Sequence, residues 1–332
     1  MDKVKKQVVV ITGASAGVGR SITYAFAKEG ASIALIARGK EKLESTLKEV
    51  KQLGGQGMIF PLDISDYEKL ETAAELIEKE LGLIDIWINN AMVTVLGEVK
   101  DLSPEEIKRV IEVNYLGSVN GILIANRFFS HRNKGHIIQI GSALAYISIP
   151  LQSAYCASKH AIHGFIQSYR IELKINKSKI KISEVHLPAV NTPQFEWMRN
   201  HMPAHPMPVP PIYNPDLIAK AVLYIAHHPR REMWVGGSAV KGILGGKVAS
   251  WLAEWVLVKN GVKNQQTAIA PKTFQDNLWV PLNRDFGSKG IFTAMEINHS
   301  AQLWMDMHRC VVLVALAILM VILIYLFTNG IN

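Results

Sequence analysis

The chain of 332 residues is 49% apolar, enough for a substantial core, and this excludes wholesale disorder. Its formal net charge of +8 points to an anionic partner such as a membrane surface or a phosphate-bearing ligand. The lysines are scattered and no zinc-finger or RNA-binding signature occurs, which argues against nucleic acid.

The basic start "MDKVKKQ" leads into an apolar run too short for a signal peptide, and that run reads as a first strand, "VVVITG". Further β-branched runs follow in "SIALIAR", "GMIFPLD", "IDIWINNA", "HIIQIGS" and "KISEVHLP", with a last short strand near "REMWVGG". Between them "GRSITYAFAKEG", "EKLESTLKEVKQLG", "DYEKLETAAELIEKELG" and "DLIAKAVLYIAHHP" read as amphipathic helices. Near-continuous apolar strands alternating with helices predict an α/β fold whose parallel sheet is covered on both faces.

Two regions break the alternation. Residues 192–211 are dense in proline, methionine and aromatics, which marks a functional lid or a linker. After the last strand, Leu244, Val248, Trp251, Leu252 and Trp255 fall at helical spacing, fitting either core packing or a helix at a membrane interface. Residues 262–305 have weak periodicity and read as a tether. From Cys310 to Phe327 eighteen residues then pass without a charge. A helix of that length spans roughly 27 Å, close to a bilayer core. This predicts a C-terminal transmembrane helix, with His308 and Arg309 on the near side and the large N-terminal part on the cytoplasmic side. The expected division is therefore an α/β domain over 1–245, an amphipathic extension and tether over 246–305, a membrane helix over 306–328 and a short tail over 329–332.

The first strand runs straight into "TGASAGVGR", which places Gly13, Gly17 and Gly19 at the start of a helix. Glycines there let a pyrophosphate approach the backbone, and the helix N-terminus supplies N–H donors. Ser15 and Val18 belong to the same turn. About twenty residues on, where an NAD-binding unit places an acid, the second strand ends in "IARGK", with Arg38 and Lys40. A guanidinium there pairs with a 2′-phosphate, so NADP is expected over NAD. Tyr155 and Lys159 share a helical face at a spacing of four. The same spacing in Tyr24 and Lys28 carries no evident chemistry, so the pair alone decides little.

Further stretches decide it. "LDIS" with Asp63, "NNA" with Asn90, "EVNYLG" with Asn114, "GSALAY" with Ser142 and the Tyr155–Lys159 helix follow the glycine turn in order. Together they resemble the short-chain dehydrogenase/reductase family over about residues 5–240. The resemblance implies a doubly wound Rossmann-type sheet and a catalytic set of Asn114, Ser142, Tyr155 and Lys159. Tyr155 would protonate a carbonyl oxygen, and a neighbouring ammonium would lower its pKa. Ser142 would hold the substrate oxygen, Lys159 the nicotinamide ribose, and Asn114 a proton-relaying water. Asp63 would accept from the adenine amine, Asn90 would line the adenine side, and Pro188 and Thr192 of "LPAVNTP" would cover the nicotinamide. Two positions depart from the family, Met92 and Ala189 standing where glycine is usual.

The other candidates are weaker. His201 and His205 have metal-like spacing but Pro203 lies between them, and His160 and His163 share a face without a third ligand, so no metal is expected. Cys156 reads as structural, and Cys310, at the membrane boundary, as filler, with acylation the alternative. The whole predicts a membrane-anchored, NADP-dependent oxidoreductase that interconverts a ketone and a secondary alcohol of lipophilic character, as a homodimer. The alternatives are an NADP-binding sensor or scaffold, or an epimerase or dehydratase on the same fold.

Overall fold

The computed structural model describes residues 6–268 and 275–329. Seven parallel strands form the central sheet: β1 Val8–Thr12, β2 Ser32–Ala37, β3 Gln56–Pro61, β4 Ile86–Asn89, β5 His136–Ser142, β6 Lys181–Leu187 and β7 Glu232–Trp234. Their order is β7-β6-β5-β4-β1-β2-β3. Register is fixed at the centre, where Val10 lies between Ala34 on β2 and Trp87 on β4. Every residue of β1 and β5 is buried, which is why these strands read as unbroken apolar runs.

Helices cover both faces. Helices α1 Gly17–Lys28 and α2 Lys40–Gln52 contribute Ile22 and Leu43 to one core layer, joined by Ile218 of α7, Pro215–His227. The opposite layer takes Ala74 from α3 Tyr67–Glu80, Val110 from α4 Pro104–Ile111, Ile122 from α5 Gly117–Ser130 and Ile162 from α6 Ser153–Ile175. Local signals set the starts. Asp66 accepts from Lys69 N at 3.1 Å, and Ser103 with Glu106 closes a capping box before Pro104. The strand order reverses between β1 and β4, which opens a crevice at the carboxyl ends of the strands.

Beyond β7 the structure departs from the expected elements. The stripe from Leu244 to Trp255 is divided, because the chain breaks at Ala249 between α8 Gly237–Val248 and α9 Ser250–Asn260. Residues 275–305 are no loose tether. Leu278 is fully buried and Leu303 is 2% exposed, each in one of the two main core layers. Glu296–Ile297 pairs in parallel with Ile212–Tyr213. The missing periodicity reflects an irregular path held by hydrogen bonds rather than by a repeating face.

The chain ends in α10 Ala301–Met307 and α11 Arg309–Asn329. Among the described residues no single helix is long and apolar enough to cross a membrane. The pair Ala301–Met307 and Arg309–Ile324 is so by length and composition, bent by 96° at their junction. Of the expected tail, residues 330–332 lie outside the described residues.

Candidate active site and cofactor cleft

The crevice is a continuous cavity of about 520 Å³ running from the end of β2 to the start of α6. At its centre is the turn after β1. Gly13 and Gly17 have φ of +66° and +55°, a left-handed region that favours glycine. A Cβ on Gly19 would come within 2.1 Å of the Gly13 oxygen, so only glycine lets α1 start this close to the strand. Asn90 lines the cavity, but its amide donates to the oxygens of Thr12 at 3.0 Å and Gly13 at 3.2 Å. It therefore braces the turn. Ser15, Gly17 and Val18 also line the cavity, whereas Gly19 serves the turn's closure.

At the nucleotide end, Arg38 and Asp63 both line the cavity. Burial works to raise the Asp63 pKa, but an ion pair with Arg109 and two hydrogen bonds from Ser65 hold it below the usual range. Arg38 donates to the main-chain oxygens of Leu278 at 3.3 Å, Trp279 at 3.1 Å and Asn277. Lys40 is a correction to the sequence reading: its side chain is exposed and faces Glu44 at 3.8 Å. Lys42 lines the cavity in its place, its Nζ 5.5 Å from the centre of the Trp197 ring. Burial, then Arg38, lowers the Lys42 pKa.

At the other end α6 brings Tyr155 and Lys159 into the cavity beside Ser142, the last residue of β5. Ser142 Oγ accepts from Leu144 N at 3.1 Å. Lys159 Nζ donates to the Ile140 oxygen at 3.0 Å. Burial lowers the Lys159 pKa to about 8. The expected depression of the Tyr155 phenol is reversed: burial raises its pKa, and only the Ser142 contact opposes this. Lys159 Nζ lies 5.5 Å from the ring centre. Tyr155 is thus a protonated phenol at neutral pH, the form that donates a proton.

Asn114 sits in a π turn, Glu112–Leu116, between α4 and α5. Its side chain is spent on Val93, accepting from the nitrogen at 2.8 Å and donating to the oxygen at 2.9 Å, with Ser158 Oγ at 3.2 Å. It fixes the wall that carries Met92, which lines the cavity. Pro188, Ala189 and Thr192 line the opposite wall, Thr192 within 3.4 Å of where a Gly17 Cβ would stand. A cavity that runs unbroken from paired cations, past helix N–H donors, to a buried phenol and amine fits an extended dinucleotide.

The substrate end was missed by sequence reasoning. Ile147, Ile149, Val209, Val256 and Leu257 give it an apolar lining, with Asn260 and Asn264 as polar points. Val209 comes from the segment expected to be a lid or linker, Val256, Leu257 and Asn260 from α9, and Asn264 from the turn that follows it. Within the lid segment, His201 faces Glu106 at 3.0 Å. Tyr24 is bonded to Arg20 of α1 and Glu49 of α2, away from the cavity lining, and Cys156 is buried.

One histidine differs. His163 meets Glu184 at 2.9 Å, with His186 nearby, the one such trio among the described residues. Its ring nitrogens are all engaged: His163 also with Gln167 at 2.8 Å, His186 with Tyr146 and the Ser142 oxygen, both at 3.2 Å. Arg170 balances Glu184 at 3.1 Å. The cluster props Ser142 from behind and already has its partners.

Comparison with known proteins agrees with this geometry. A family profile described as short chain dehydrogenase matches residues 7–202. The uncharacterized oxidoreductase YxnA of Bacillus subtilis is 32% identical over 243 residues, 72% of this chain and 68% of that one. The fatty acyl-CoA reductase of Acinetobacter baylyi is 31% identical over 233 residues, 69% of this chain and 76% of that one. Among solved structures, an alcohol dehydrogenase from the archaeon Thermococcus sibiricus complexed with 5-hydroxy-NADP superposes with TM-score 0.59 at 26% identity, covering 69% of this chain and 95% of that one. A short chain dehydrogenase from Mycobacterium paratuberculosis bound to NAD gives TM-score 0.61 at 25% identity, with 70% and 97% covered. The parallel sheet, the glycine turn and the matched span make this chain a member of the short-chain dehydrogenase family and an oxidoreductase of that type.

Proposed function

We propose that the protein is a membrane-anchored, NADP-dependent oxidoreductase that interconverts a lipophilic ketone and a secondary alcohol, with Tyr155 as acid and base. The observation that carries this reading is the meeting of Ser142, Tyr155 and Lys159 at one end of a cavity whose adjoining walls are apolar. A bound nicotinamide supplies the hydride for reduction and takes it in the reverse direction. Tyr155 gives its proton to the carbonyl oxygen as negative charge develops there, and Ser142 holds that oxygen. The Lys159 ammonium, present below about pH 8, favours the phenolate left behind. Asn114 acts through Val93 by positioning the wall beside the nicotinamide end.

NADP is favoured by two cations, Arg38 and Lys42, lining the cavity at the end of β2. The structural neighbours carry 5-hydroxy-NADP in one case and NAD in the other, so both cofactors belong in the test. The lipophilic substrate is favoured by α9, where Val256 and Leu257 line the cavity while Trp251 and Val258 are 72% and 85% exposed. The anchor is favoured by the exposed apolar run of α11, Val311 to Ile324. Leu123 on α5 and Ile171 and Ile175 on α6 are exposed apolar residues that suit a homodimer through these helices. A monodisperse tetramer by light scattering in mild detergent would overturn the dimer.

The test is consumption of NADPH and of NADH by the full-length protein in detergent, over long-chain and cyclic ketones. A long-chain acyl-CoA is included because the Acinetobacter baylyi relative is a fatty acyl-CoA reductase. NADPH consumption that stops in Tyr155→Phe supports the reading. Binding of NADPH without turnover of any carbonyl favours the sensor instead.

A further inference from the structure

We propose that residues 276–297 are a clamp over the cofactor cleft, latched by Asp285, so that cofactor exchange waits on the lifting of this segment. The inference rests on the reading that the cavity takes a nicotinamide dinucleotide. The segment crosses the cleft and is tied to both walls. On the sheet side, Arg38 donates to three consecutive carbonyls, Asn277 to Trp279, and Arg109 Nε donates to the Leu278 oxygen at 3.1 Å. On the opposite side, Asn277 N donates to the Trp197 oxygen at 3.0 Å, and Phe292 N to Asn191 Oδ1 at 3.1 Å. Asn191 in turn donates to Glu296 at 2.8 Å. Asn277 and Pro281 line the cavity itself.

Between these ends the segment lies over the glycine turn. The Gly287 oxygen accepts from Gly17 N at 3.1 Å. Asp285 forms an ion pair with the buried Arg20 of α1, accepts from Ser45 Oγ at 2.6 Å and accepts from Gly287 N at 3.0 Å. Phe286 packs edge-on against Trp197 with ring centres 4.6 Å apart. Leu278 is the one fully buried large apolar anchor of this stretch, joined by the Phe286 and Phe292 ring contacts, and most of the remaining ties are polar. Polar ties on a surface segment open locally far more readily than a core does. A dinucleotide lying in the cavity is therefore covered from the β2 corner to the glycine turn, and it leaves only when the Asp285 latch is released.

The test measures NADPH dissociation from the full-length protein in detergent. Bound NADPH is displaced by excess NADP and followed by its fluorescence. Asp285→Asn is expected to raise the dissociation rate about tenfold or more, the size of one lost charge-assisted pair. Ser45→Ala, a milder loosening of the same latch, should move it the same way by less. In hydrogen exchange, bound NADPH should slow the amides of residues 276–292. Arg132→Ala, which breaks contacts to Glu78 and Ile84 away from the cleft, serves as the control. Unchanged dissociation in Asp285→Asn and Ser45→Ala overturns the clamp, as does an equal acceleration in Arg132→Ala. Failure of the wild-type protein to bind either NADPH or NADH would instead overturn the cofactor reading on which the clamp rests.

Discussion

Lys159 Nζ donates to the main-chain oxygen of Ile140 at 3.0 Å, and Ile140 lies two residues before Ser142 on the same strand. One strand end thus fixes both the amine and the hydroxyl that flank Tyr155. Burial keeps this amine out of water, which is why its pKa falls to about 8.

A pH dependence follows from that value. Below about pH 8 the ammonium supports proton donation by Tyr155, and above it the charge is lost. Carbonyl reduction at saturating NADPH is expected to hold near neutrality and decline as the pH passes through about 8. Stability moves the other way. The unfolded chain binds the Lys159 proton up to about pH 10.5, the folded chain only to about 8, so the burial penalty is full below 8 and fades as pH rises between these values. Unfolding free energies from urea titrations of wild type and Lys159→Met should therefore differ by about 3 kcal/mol more in favour of the variant at pH 7 than at pH 10.5. A difference that stays constant across this range would refute the assignment.

Gly19→Ala is expected to damage the fold and the cleft together. The added Cβ would stand 2.1 Å from the Gly13 oxygen and 2.4 Å from Asn90 Nδ2, and neither the backbone nor the braced amide can give way cheaply. Overpacking of this kind costs about 1–3 kcal/mol or more. The melting temperature should fall, and NADPH affinity should drop about tenfold or more as the turn is displaced. Gly30→Ala offers a contrast, since nothing lies within 4 Å of that position and its φ of +77° brings backbone strain alone.

The sheet and the Ser142–Tyr155–Lys159 constellation were legible because each is written in side-chain identity at fixed spacing. Strands buried on both faces must be apolar throughout, and a one-turn spacing puts Tyr155 and Lys159 together. Other features leave no such trace. Lys40 and Lys42 are two residues apart, so α2 turns them about 200° from each other, and only the start of the helix decides which one meets the cavity. The segment over the cleft bonds through the carbonyls of Asn277, Leu278, Trp279 and Gly287, groups that every residue possesses. Asp285 and Arg20 are 265 positions apart, and no local pattern joins them.

Arg38 serves two neighbours, the cofactor corner and the carbonyls of the covering segment. Arg38→Ser should lower the ratio of kcat/KM for NADPH over NADH by about tenfold to a hundredfold, the effect of one or two charge-assisted hydrogen bonds. It should also quicken hydrogen exchange over residues 276–279. A changed cofactor ratio with unchanged exchange would mean that the guanidinium reads the phosphate without holding the segment. An unchanged ratio would remove the case for NADP built on this residue.

The end of the chain joins two different kinds of apolar residue, and substitution separates them. Leu303 of α10 is 2% exposed in the core, and Arg230 ties Asp306 to the domain through its carbonyl at 2.8 Å. Leu303→Ala should cost about 2–4 kcal/mol, seen as a lower midpoint in thermal or urea unfolding, with membrane association unchanged. Leu316, Leu319 and Leu323 of α11 are each more than half exposed and support nothing in the domain. Changing all three to Glu should leave the unfolding midpoint where it is. Each charge would cost about 3 kcal/mol in a bilayer interior, so the triple variant should move from the membrane fraction to the soluble one. Wild-type protein that is soluble without detergent, or a triple variant that stays with membranes at high salt, would show that α11 is not the anchor.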